Sequence, residues 1–276
     1  MNREEIKMSV YVQIKKGDLS NLGKVFNITI DRPAGTVHPK HEDIVYPINY
    51  GYVEGLVAGD GECQDVYMLG CNAPAEHCRG VIVGVLLRSD DNEDKWCAVP
   101  EEYLEGDTME KPLLYEPYML RETHFQEQFY HTKAVCLYEK TCGTVCFTEE
   151  NGEVKFLLVQ NSDSGHIGFP KGHIELNETE RETAIREVLE ETGLNVEPWE
   201  GFRFAYSFTL PNGIRKNCVY FVGQYGGDFL KIQEEELGAH WILNYEDAMN
   251  KLNYPQDKAV LEAANNEILK RRKGND

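Results

Sequence analysis

A chain of 276 residues, 41% hydrophobic and 27% charged, has room for two ordinary domains and excludes a low-complexity or fibrous class. Its net charge of −19 opposes a nucleic-acid partner, since such a surface repels a phosphate backbone, although a small polyanion remains accessible through a divalent cation and a few lysines. No run approaches the roughly 18 apolar residues of a membrane span, and the opening MNREEIKMSV lacks the apolar core of a signal peptide; the expectation is a cytoplasmic protein without a membrane partner.

In chain order, the first half reads as β-rich. VFNITI, RGVIVGVLL and KWCAV have strand composition and are separated by the turn signals DRPAG, AGDGE and SDDNED. The polar stretch RETHFQEQFYH predicts a helix that closes this half, which places a domain boundary near His131 and divides the chain into 1–130 and 131–276. A second β pattern follows, in which Glu150-Asn151-Gly152-Glu153 predicts a hairpin turn. The eight cysteines form no CxxC pair and no zinc spacing, so buried reduced thiols are expected.

NETERETAIREVLEETG is the clearest helix. Asn177 is the expected N-cap with Glu180 as its capping partner, and Gly193 falls where a left-handed C-terminal cap belongs. Ala184, Ile185, Val188 and Leu189 form one apolar stripe. At ~100° per residue, Glu187, Glu190 and Glu191 fall together in a sector away from that stripe. Three neighbouring carboxylates repel one another, a cost that a divalent cation among them would offset. Arg186 stands four residues before Glu190, within pairing reach. A solvated acidic helix face would show the same charge spacing.

What separates the two readings is the surrounding segment. GHIELNETERETAIREVLEETGL matches the Nudix signature G-x5-E-x7-R-E-U-x-E-E-x-G-U, with its fixed positions on Gly172, Glu178, Arg186, Glu187, Val188, Glu190, Glu191, Gly193 and Leu194. The region from His131 onward therefore resembles the Nudix hydrolases. The resemblance implies an α/β/α sandwich in an α/β (α+β) chain. It also implies Mg²⁺ or Mn²⁺ held by Glu187, Glu190, Glu191 and the carbonyl of Gly172, with Glu178 and Arg186 as orienting groups, and hydrolysis of a phosphoanhydride by an activated water.

The signature leaves the substrate open, and the flanking residues narrow it. HIGFPKGHIE is similar to the FPKGH segment of the asymmetrical diadenosine tetraphosphate hydrolases, which implies phosphate contacts from Lys171 and His166. By the same resemblance, Phe208 and Lys216 occupy a strand-loop-strand that carries an aromatic and a lysine. Glu235 stands for a further glutamate near the metals, and Tyr254 for a second ring that sandwiches adenine. The implied activity is asymmetrical cleavage of dinucleoside tetraphosphates to ATP and AMP. A house-cleaning nucleoside triphosphate pyrophosphatase and a bifunctional enzyme with inorganic pyrophosphatase activity are the alternatives. The oligomeric state is left open.

ITIDRPAGTVHP, YPINYGYVEG, DGECQDVYMLG and EDKWCAVP resemble the soluble family I inorganic pyrophosphatases, a β-barrel-rich fold. Asp60, Glu62 and Asp65 keep the spacing of that family's acidic metal loop. Elsewhere the pattern departs: Asp31 replaces a glutamate, His38 a lysine and Arg88 an acid, Glu93 keeps one acid, and QFYHTK lacks the Tyr-Lys pair. The first half is expected to be a scaffold without pyrophosphatase activity.

Overall fold

The structure, a computed structural model, describes residues 12–39, 41–125, 132–226, 230–233 and 237–274. Contacts divide the chain into two compact units, Met1–Glu139 with Thr209–Arg215, and Lys140–Phe208 with Lys216–Asp276. The expected junction at His131 lies outside the described residues.

In the first unit β1 (Val12–Gln13), β2 (Val25–Arg32), β5 (Asn49–Val57), β6 (Cys63–Met68), β7 (His77–Arg88) and β8 (Lys95–Pro100) share a sheet with β9 (Thr132–Cys136), while β3 (Val37–His38) and β4 (His41–Val45) form a small hairpin. The order β5-β2-β7-β8-β6 closes because β6 pairs back onto β5, so five strands make a ring. Alternation along the strands gives the ring two buried faces. Ile28, Ile30, Val66, Met68, Ile82, Trp96 and Ala98 form one cluster. Tyr67, Leu69, Val81, Val83, Cys97 and Val99 form the other, with Leu114, Tyr115 and Met119 packed against them. Gly51 allows the ring to close tightly, since a Cβ there would lie 2.0 Å from the carbonyl oxygen of Thr29.

The helix expected over 121–131 instead occupies Glu116–Thr123 (α1). Pro117 explains the shift, because its fixed φ and missing N–H suit the first turn of a helix. Residues 126–131 of the expected helix lie outside the described residues. The strands expected at VFNITI, RGVIVGVLL and KWCAV are β2, β7 and β8.

The second sheet contains β10 (Tyr138–Glu150), β11 (Glu153–Asn161), β12 (Ile167–Gly168), β13 (Lys171–His173), β14 (Phe204–Thr209), β15 (Arg215–Gln224) and β16 (Leu237–Leu243). The helices are α2 (Glu180–Thr192), α3 (Tyr245–Lys251) and α4 (Pro255–Gly274). The predicted turn joins β10 to β11, with Glu150 opposite Glu153 and with Asn151 and Gly152 at φ 51° and 80°, as a type I′ hairpin requires. Val145, Phe147, Phe156 and Leu158 pack with Val260, Leu261, Ala264 and Ile268 of α4. Cys146, Leu157 and Val159 point the other way and pack with Val188 of α2. The period-2 alternation of β10 and β11 thus builds a helix-sheet-helix sandwich.

Five of the eight cysteines are buried, Cys63, Cys71 and Cys78 are half-buried, and all are free thiols. Among the described residues no helix is long and apolar enough to cross a membrane.

Candidate active site

The amino end of α2 is capped two residues later than the sequence predicts. Thr179 is the N-cap, its hydroxyl accepting from the Glu182 N–H while Glu182 accepts from the Thr179 N–H. Asn177 instead adopts φ 67° in the preceding turn, a left-handed conformation that asparagine tolerates. The capping box is therefore Thr-x-x-Glu over Thr179–Glu182. Glu180 turns to Lys140 and Arg203, at 2.7 and 2.6 Å. Gly193 ends the helix at φ 70°, as predicted.

The buried face also differs from the expected stripe. Ala184 and Val188 are buried, but so are Glu187 and Glu191, at 9% and 7% exposure, whereas Leu189 is half exposed. The carboxylates thus lie inside the buried arc, flanked by Thr183, Ala184, Val188 and Thr192. The reason is the neighbouring strand. A Cβ at Gly172 of β13 would sit 2.1 Å from the Glu187 carboxylate, so glycine there makes the space that the acid fills. The Lys171 N–H donates to Glu191 Oε2 at 3.1 Å, giving the second buried acid a backbone partner.

Arg186 ties the group together. Its Nε donates to Glu178 Oε1 at 2.6 Å, and Nη1 reaches both Glu187 at 2.7 Å and Glu190 at 3.0 Å. Nη2 donates to the His173 carbonyl at 2.9 Å and to Glu178 Oε2 at 3.0 Å. The pairing foreseen between Arg186 and Glu190 is present, as one arm of a larger fork. The Arg186 guanidinium, helped by the Thr183 hydroxyl and the Glu175 N–H, holds the Glu178 carboxyl down at about 2. A depressed carboxyl stabilises the fold above its unfolded value of 4.5, and that contribution disappears as pH falls towards about 2. Glu178→Gln is accordingly expected to flatten the fall in Tm between about pH 5 and about pH 3, measured by calorimetry; an unchanged acid limb would contradict this linkage.

Among the described residues no three Asp, Glu, His or Cys side chains are already gathered at metal-binding distance. The carboxylates of Glu187 and Glu190 converge on one guanidinium nitrogen. The donor chemistry nevertheless fits a hard cation: three glutamates from one side of α2, with the backbone of Gly172 against Glu187. Glu235 lies outside the described residues.

Beyond the helix, the structure joins several of the expected substrate residues. His166 Nε2 lies 2.7 Å from Asp257 Oδ2, and its ring centroid is 5.3 Å from that of the exposed Tyr254. Tyr206 donates to Asp257 Oδ1 at 3.3 Å and stacks 6.1 Å from Phe208. Lys171 and Lys216 both bear electrostatically on the thiol of Cys218, which burial holds above the ordinary thiol range. Lys216 stands on β15 two residues before Cys218, and Lys171 on β13. Tyr206 and Asp257 are additions that the sequence did not single out. Asp257 in the first turn of α4 reads simply as a favourable charge at a helix start.

Residues 138–264 match the NUDIX domain family. The bis(5'-nucleosyl)-tetraphosphatase [asymmetrical] of Mus musculus is 29% identical over 136 residues, covering 45% of this chain and 90% of that protein. The enzyme of the same description from Caenorhabditis elegans is 28% identical over 126 residues, covering 44% and 91%. The crystal structure of a C. elegans Ap4A hydrolase binary complex aligns with a TM-score of 0.45 and 24% identity, over 48% of this chain and 98% of that one. Family match, curated relatives and the charged fork on α2 coincide on one segment: residues 138–264 form a NUDIX domain, and the protein is a Nudix hydrolase.

Proposed function

We propose that the enzyme cleaves dinucleoside tetraphosphates asymmetrically, to a nucleoside triphosphate and a nucleoside monophosphate, with Mg²⁺ or Mn²⁺. The observation that carries this reading is the pair of buried acids on α2, Glu187 packed against Gly172 and Glu191 accepting from the Lys171 N–H, with Glu190 on the same helix. In it Glu187, Glu190, Glu191 and the Gly172 carbonyl hold the cation, and Glu235 is assigned as a further catalytic acid by resemblance alone. A cation so held neutralises phosphate charge and lowers the pKa of a bound water. Arg186 orients the carboxylates, and Glu178 fixes Arg186 through two hydrogen bonds. Lys171, Lys216 and His166 supply positive charge and hydrogen bonds to the polyphosphate, and Phe208 and Tyr254 offer aromatic faces to a base. The mouse and worm relatives, matched over nine-tenths of their length, favour the dinucleoside substrate over a mononucleotide.

The barrel unit is proposed to be a pyrophosphatase-like scaffold without that activity. Its acidic loop does not fit a set of divalent cations. The Asp65 carboxylate is taken by the Tyr50 hydroxyl and by Lys95, whose ammonium also lies 2.9 Å from Glu93. Arg88 is engaged by Asp90 and Asp91, at 2.9 and 3.0 Å.

Incubation of the full chain with Mg²⁺ and diadenosine tetraphosphate, followed by chromatography, is expected to yield ATP and AMP in equal amounts. Two ADP per turnover, or an untouched dinucleotide beside brisk cleavage of a mononucleoside triphosphate, would overturn the assignment. Release of orthophosphate from added pyrophosphate would overturn the reading of the barrel.

A further inference from the structure

Asp257 is the most buried acid of the second unit that the hydrolytic scheme leaves without a role, at 1% exposure. Both of its oxygens are used: Oδ2 by His166 Nε2 at 2.7 Å and Oδ1 by the Tyr206 hydroxyl at 3.3 Å. Three elements meet at this carboxylate, namely the segment before β12, strand β14 and the first turn of α4. A carboxylate accepts and does not donate, so the contact places the imidazole hydrogen on Nε2 and leaves Nδ1 as the ring's second polar atom. The ring is confined on other sides too. A Cβ on Gly168 would meet His166 Cε1 at 2.9 Å, and Tyr254 lies 5.3 Å away between ring centroids.

The same carboxylate connects the two aromatic pairs. Through His166 it reaches Tyr254, which is 54% exposed, and through Tyr206 it reaches Phe208. We infer that Asp257 is a positioning residue that takes the Nε2 hydrogen of His166 and fixes the orientation of the ring, so that Nδ1, when it too carries a hydrogen, donates to a phosphate oxygen of the nucleotide, and that the ring so fixed holds the Tyr254 face in place for a base. The inference rests on the nucleotide reading for its substrate and on the geometry alone for the imidazole. Carboxylate partners of metal-ligating imidazoles set ring orientation in this way, and losing one costs about 10- to 100-fold in metal affinity or activity, the scale adopted for this pair.

The decisive experiment pairs a spectroscopic with a kinetic readout on the full chain. In protein labelled with ¹⁵N-histidine, with the resonances assigned by His166→Gln, wild type is expected to show His166 protonated at Nε2. Asp257→Asn is expected to lose that pattern. With diadenosine tetraphosphate and Mg²⁺, Asp257→Asn is expected to raise KM about 10-fold while kcat stays within about 2-fold, because the groups at the reacting phosphorus are untouched. In a His166→Gln background the same substitution is expected to add nothing to KM, an epistasis that a merely structural defect would not produce. An unchanged ¹⁵N spectrum in Asp257→Asn, or additive KM effects, overturns the inference. Should Asp257→Asn fail to fold, Gly168→Ala disturbs the same ring from the other side, and an unchanged KM there also overturns it. If wild type does not turn over the dinucleotide, the proposed substrate fails, while the ¹⁵N spectrum still decides the role of Asp257.

Discussion

Replacing Glu190 with glutamine is expected to lower kcat by about 10³-fold with little change in Tm. A carboxylate that holds the catalytic cation contributes several kcal/mol of transition-state charge stabilisation, and each 1.36 kcal/mol corresponds to about tenfold in rate. The fold depends on this side chain very little. It is 53% exposed, and its recorded partner is the Arg186 guanidinium, which keeps Glu178, Glu187 and the His173 carbonyl. An exposed pair of this kind contributes about 0–1 kcal/mol to stability. Glutamine keeps the length and one acceptor while removing the charge. Steady-state kinetics with calorimetry on the same preparation separates the two effects. Wild-type turnover in the variant would remove Glu190 from the site.

Lys95→Met in the barrel should have the largest effect on stability. Lys95 bridges Asp65 and Glu93, and Glu93 is only 2% exposed. Burial, reinforced by the Asp65 charge, raises the Glu93 carboxyl above its ordinary range, and the Lys95 ammonium opposes that rise. Removing one partner of a buried pair typically costs about 3–5 kcal/mol, because the other charge is left without compensation. A carboxyl raised in the folded state is tolerated at pH below its unfolded value of 4.5 and costs stability as pH rises from there through its folded value. The loss should therefore be smaller at acid pH than at neutral pH. Hydrogen exchange on the amides of β6 and β8 is expected to show protection reduced by about 10²-fold, the rate equivalent of about 3 kcal/mol. Glu93→Gln in the same chain should restore most of it. Unaltered protection would show that the barrel does not depend on this triad.

Much of the catalytic sandwich was legible because local chemistry and tertiary context agree there. Asn151-Gly152 announces a type I′ hairpin, and Gly193 announces a left-handed helix end, since few other residues take those backbone angles comfortably. The amino end of α2 was less legible, because Asn177 and Thr179 are both good caps. The choice depends on Glu182, three residues after Thr179, reaching back. Helical periodicity put Glu187, Glu190 and Glu191 in one sector away from the apolar stripe and could not show that two of them lie inside the buried arc. That depends on the strand across from them carrying glycine at 172, a long-range fact invisible in the period of the helix. Asp257 escaped notice for a similar reason, since its partners lie 91 and 51 residues away in sequence. The closed ring of the first unit was expected only through resemblance, because strand composition does not state which strands pair.

The contact between Gly172 and Glu187 makes two letters of the signature, fifteen positions apart, a single steric object. A methyl group at 172 would evict the acid as surely as a change at 187 would remove it. A side chain at 172 therefore forces the Glu187 carboxylate out of the place it now fills. New selectivity has to come from the loops and rings around that fixed hinge of backbone and carboxylate.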